Sequence, residues 1–124
     1  MQFIRLGEYL AASMITGPKH NLLQLRIGTG PQGIPACEML PPVGNCVHKP
    51  LNSEAIVERV LEGLVEANSR LGTKHSLTHI RYVENDTGPE VVYGHMCIKL
   101  LEHIEAGGVF AEQNPQASSG KSAL

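Results

Sequence analysis

Lysine and histidine stand side by side in Gly17-Pro18-Lys19-His20-Asn21, and they are the residues of this chain best placed to do chemistry. Imidazole exchanges protons near neutral pH without special tuning, which makes His20 a candidate general acid or base. Lys19 could form an imine with an aldehyde if its amine were desolvated. A turn directly ahead of a core strand can hold such side chains against a cleft on a rigid support; a plain surface turn also accounts for them. The run Gly28-Thr29-Gly30-Pro31-Gln32-Gly33 has the glycine density of a phosphate-binding loop. It lacks the Lys-Ser/Thr ending, and Pro31 removes one of the N–H donors, so a tight turn permitting close backbone approach is expected. Gly30 and Gly33 are candidates for shaping a substrate cleft there. Asp86 precedes a helix, where the dipole stabilises its charge, and is a third candidate for ligand contact.

The remaining polar residues have simpler readings. Cys37, Cys46, His48, His75 and His79 are metal-ligand types, but no Cys-x-x-Cys and no His pair one helical turn apart accompanies them. No metal site is expected. His95, Lys99, Glu102 and His103 fall along the polar side of a helix and read as a solvated face. Cys97 lies within an apolar stripe and reads as an inert core thiol.

The elements that must position these residues follow from composition and periodicity. A chain of 124 residues fits one domain. With no Trp, two Phe and three Tyr, its core has to come from Val, Ile, Leu and Met. Net charge is −2 without a Lys/Arg cluster, which disfavours autonomous DNA or RNA binding. No apolar run approaches a membrane span, and three cysteines without framework spacing suit a cytoplasmic protein with reduced thiols.

Phe3–Leu6, Tyr9–Ile15, Asn21–Ile27 and Ile34–Leu40 read as strands separated by Gly/Pro turns. A helix is expected over 53–71, capped by Asn52 or Ser53 and stopped by Gly72. Its apolar stripe is Ile56, Val57, Val60, Leu61, Leu64, Val65 and Leu71. Leu77–Val83 is a strand. A second helix to about Glu105 follows a Thr87…Glu90 capping box and buries Tyr93, Met96, Cys97, Leu100, Leu101 and Ile104. The domain is expected over 1–110, with 111–124 as a disordered tail. The whole is an α+β domain.

Three stretches carry a family resemblance: Glu62-Gly63-Leu64-Val65-Glu66-Ala67, the strand end Ile80-Arg81-Tyr82-Val83, and His95-Met96-Cys97-Ile98-Lys99-Leu100. They resemble domain IV of translation elongation factors G and 2. That resemblance implies a ribosomal-protein-S5-domain-2-like fold, with two helices packed on one face of a mixed four- to five-stranded sheet. It also implies a βαβ crossover of the left hand, against the general right-handed rule.

Leu6-Gly7-Glu8-Tyr9-Leu10, His20, and Leu25 to Pro35 are similar to formaldehyde-activating enzyme of the same superfamily. This similarity implies a homo-oligomer with a small-molecule ligand. It gives His20 the role of acid in condensing formaldehyde with a tetrahydropterin. The expected function is binding or conversion of a small molecule, an aldehyde or one-carbon compound. The alternative is a non-catalytic module that binds protein or RNA. The residues specify no cofactor.

Overall fold

A computed structural model describes residues 1–16, 19–41, 51–83 and 89–112, with Thr16 and Lys19 described by their backbone only. Asp86 and the capping Thr87 lie outside the described residues. Gly7, at φ +63°, turns strand β1 (Gln2–Leu6) into β2 (Tyr9–Thr16), with Leu6 opposite Tyr9. An L-residue would be strained in that left-handed corner. The chain returns along β3 (Lys19–Gly28), antiparallel to β2, and continues through a glycine-rich loop to β4 (Ala36–Leu40). Helix α1 (Ser53–Leu71), strand β5 (Ser76–Val83), helix α2 (Val91–Glu105) and the two-residue β6 (Ala111–Glu112) complete the order.

The sheet runs β4-β5-β3-β2-β1-β6. Strands β1, β2, β3 and β5 pair antiparallel, while β4 joins β5 and β6 joins β1 in parallel. The molecule is thus α+β with a mixed sheet. Six strands replace the expected four or five. The added strand consists of Ala111 and Glu112, which the sequence reading assigns to a tail. It docks because Phe110 packs near Phe3 and Glu112 meets Arg5 at 3.1 Å.

Register decides which face is buried. Leu10, Ala12, Leu23, Leu25, Ile80 and Tyr82 align across β2, β3 and β5 and join the helices in one core. Fully burying one such large apolar side chain stabilises the fold by about 1.5–3 kcal/mol. A bulge between Arg26 and Ile27 shifts the start of β5, so Leu77 is buried and Thr78 is exposed. Tyr82 reaches Ser53 Oγ at 2.5 Å, and the Tyr93 hydroxyl accepts from Asn21 at 3.3 Å, so both buried phenols keep hydrogen bonds.

Helix α1 begins as expected: the Asn52 side chain accepts from Ala55 N–H at 3.0 Å, and Gly72 ends it at φ +67°. The capping box expected at the start of α2 pairs Glu90 with Thr87, which lies outside the described residues. Glu90 makes no side-chain cap; its carboxylate accepts the Asn52 N–H at 3.1 Å, tying together the starts of the two helices. The crossing of α1 and α2 runs through two glycines. A Cβ on Gly63 would lie 2.4 Å from the Gly94 carbonyl oxygen, and one on Gly94 would lie 2.7 Å from that of Arg59. The buried face of α1 is Ile56, Val60, Gly63, Leu64 and Ala67, so Val65, expected in the buried stripe, faces outward at 68% exposure. Among the described residues no helix is long and apolar enough to cross a membrane.

Candidate functional site

The glycine turn after β3 is where backbone, cavity and titratable groups meet. Gly28 lies against Thr78, whose Cγ2 a Cβ would approach to 2.5 Å, and Gly30 takes φ +95°. These two positions let the chain fold back so that Gln32 reaches β5. Its amide then acts as an extra strand residue: Oε1 accepts the Leu77 N–H at 2.7 Å, and Nε2 donates to the Leu77 carbonyl at 2.9 Å. Nε2 also approaches the Gly33 carbonyl at 2.6 Å. Gly33 therefore anchors the clamp, while Gly30 faces the adjoining space.

Across that space, Asn68 near the end of α1 organises the α1–β5 turn. Its Oδ1 accepts from the Thr73 hydroxyl at 2.8 Å and from the His75 N–H at 3.0 Å, while Nδ2 donates to the His75 carbonyl at 3.0 Å. The groove between the two turns has a volume of about 490 Å³ and is lined by Gly30, Pro31, Gln32, Asn68 and Thr73–His75. That volume suits a small ligand. His75 Nε2 stands 2.9 Å from Glu105 Oε2, at the end of α2. With Nε2 committed to the carboxylate, Nδ1 is the nitrogen that can face a ligand. A carboxylate in this position holds the ring in a fixed orientation, an arrangement that acid–base chemistry uses.

The structure separates the residues that the sequence reading groups around one cleft. His20 is exposed near the start of β3, opposite Ile15, whereas Gly28 ends the strand and Gly30 lies just beyond it. At the usual rise, His20 and Gly28 are about 26 Å apart. Lys19 lies beside His20 at the strand's start, opposite Thr16. Near that end, a smaller recess of about 240 Å³ is lined by Met1, Gln2, Ser13 and Ile15. Within one chain, Gly30 and His20 do not share a site.

Two other polar residues take places that helical periodicity does not reveal. His103, expected on a solvated face, stacks on Phe3 with ring centroids 3.8 Å apart and meets Phe110 edge-on at 4.9 Å. Its Nε2 lies 2.8 Å from the Val109 carbonyl. His75, weighed in the sequence only as a metal ligand, becomes the central candidate because folding brings Glu105 to it from 30 residues away. No local pattern signals that pairing. Among the described residues no cluster of three or more potential metal ligands occurs. Cys97 is fully buried, and its burial pushes the thiol up to about 12; burial also raises the half-buried Cys37.

Compared with protein-family models, curated proteins and solved structures, the chain matches none.

Proposed function

We propose that this chain binds or converts a small carbonyl compound, an aldehyde or one-carbon unit, as the resemblance to formaldehyde-activating enzyme implies. The observation that carries the reading is the His75–Glu105 pair at 2.9 Å, with His75 on the wall of the groove beside Gly30. When an amine condenses with an aldehyde, nitrogen adds to the carbonyl carbon and the resulting carbinolamine loses water. His75 supplies the proton to the departing hydroxyl and recovers one from the nitrogen, while Glu105 holds the ring. Asn68 and Gln32 fix the two walls, so the ligand meets a preorganised surface. The same reading carries a ribosomal-protein-S5-domain-2-like fold, with the left-handed crossover assigned to β4–α1–β5, and a homo-oligomer.

The test is the condensation of formaldehyde with a tetrahydropterin, followed by NMR of the methylene carbon. His75→Ala is expected to lower the protein-dependent rate by about 10²-fold or more, and His20→Ala to leave it unchanged. A loss in His20→Ala with none in His75→Ala would move the chemistry to the far end of β3. No rate above the uncatalysed reaction, and no ligand-induced shift of the His75 resonances, would remove the small-molecule reading altogether.

A further inference from the structure

Neither helix covers the far face of the sheet, and an unpaired polar group lies within that face. Gln24 of β3 points there, opposite Ala11 of β2 and Arg81 of β5. Its residue is only 7% exposed, and Oε1 is fully enclosed without a hydrogen-bond partner among the described residues. Leaving a buried amide oxygen unbonded is costly, and native interiors rarely do so.

Above it runs a bridge. The Arg81 guanidinium carbon sits 4.0 Å from the centroid of the Tyr9 ring, and Arg81 Nε donates to Glu38 at 3.1 Å. Tyr9 precedes Leu10, the partner of Leu25, so a side chain reaching from β5 to β2 crosses β3 at the level of Gln24 to Arg26. His79 meets the Tyr9 ring edge-on at 6.2 Å, and Glu8 holds Arg26 at 3.1 Å.

We propose that this is a nucleobase slot closed by Arg81, and that its ligand is a mononucleotide. The base stacks on Tyr9 where the guanidinium now lies, with one edge bonded to the Gln24 amide. A planar cation and a planar heterocycle are interchangeable on an aromatic face, since both stack at similar separations. The Gln24 amide offers an acceptor beside a donor, the complement of the adjacent donor and acceptor on a base edge such as that of adenine. Arg81, once displaced, and Arg26 are the cations available to the phosphate. Aromatic platforms on sheet faces hold single bases in this manner. A mononucleotide fits better than a nucleic-acid strand, because the chain carries −2 overall and a strand would bring many more phosphates against it. This site is independent of the groove beside Gly30.

The full chain is titrated with AMP, ribose 5-phosphate and an adenosine ten-mer, followed by calorimetry and by NMR of the Gln24 side-chain amide. AMP is expected to saturate and shift that amide, and ribose 5-phosphate to bind at least about tenfold more weakly. Tyr9→Leu and Gln24→Met should each weaken AMP by about tenfold or more. Gln24→Met should melt no lower than the parent chain, because it replaces an unpaired amide by an apolar group of similar shape. If Gln24→Met does not fold, Tyr9→Leu and the amide shift decide the question. The slot is overturned if AMP and ribose 5-phosphate bind alike, if Tyr9→Leu leaves binding intact, or if nothing saturates by about 10 mM. A ten-mer binding more than about a hundredfold tighter than AMP would overturn the mononucleotide assignment in favour of single-stranded RNA.

Discussion

Single side chains in this protein act through partners distant in sequence. Gln32 replaces a missing backbone pair for Leu77 with both ends of its amide. Gln32→Ala therefore leaves two strand groups unbonded and is expected to cost about 1–3 kcal/mol in urea unfolding. An unchanged midpoint would show that solvent satisfies them. Cys97 gives a pH dependence whose sign follows from its burial. The unfolded chain loses the thiol proton near 9.0, while the folded chain holds it to about 12. The stability linked to this proton is complete below pH 9.0 and is lost as pH rises towards 12. Comparing the pH profile of Cys97→Ala with that of the parent should show a shallower fall over this window. Site-resolved labelling should find Cys97 alkylated only at the rate of global unfolding.

At the scale of elements, the contact between α1 and α2 depends on Gly63 and Gly94. Alanine is the better helix former by about 1 kcal/mol, so propensity alone predicts stabilisation at both positions. The clash with carbonyl oxygens predicts the opposite: Gly63→Ala and Gly94→Ala should each destabilise by about 1–3 kcal/mol in urea. A raised midpoint would mean that the helices separate without loss. Strand β6 depends on a side-chain clasp, because two paired residues cannot hold a strand alone. The His103 ring fills the space beside Gly108, where a Cβ would lie 2.2 Å from its Cε1, and stacks on Phe3 of β1. His103→Ala should raise amide exchange at Ala111 and Glu112 while leaving β2, β3 and β5 protected.

Over the whole molecule, one apolar core carries the stability. The ion pairs, such as Arg26–Glu8, Arg59–Glu62 and Arg70–Glu66, lie at the surface, where each contributes between about 0 and 1 kcal/mol. Raising salt from about 0.1 to 0.5 M should therefore move the unfolding free energy by less than about 1 kcal/mol, and a larger loss would assign the surface a structural role. Much of this architecture was legible in the residues. The period of α1 and α2, the Asn52 cap, the Gly72 stop and the strands from Phe3, Tyr9, Asn21 and Leu77 follow from local rules that act over one or two turns. The buried Cys97 is legible for the same reason. The candidate site was not. Gly30 was singled out for its turn, but His75 gains its role from Glu105, and Gly63 gains its role from Gly94. Those pairings arise only when α2 lies against α1 and β5. His20, prominent in sequence for its turn, is carried by β3 to the opposite end of the sheet from Gly30. Sequence by itself determined the elements, because hydrogen bonding and side-chain period are local. Tertiary structure alone decided which polar groups meet, because register and helix crossing set distances that no spacing along the chain encodes.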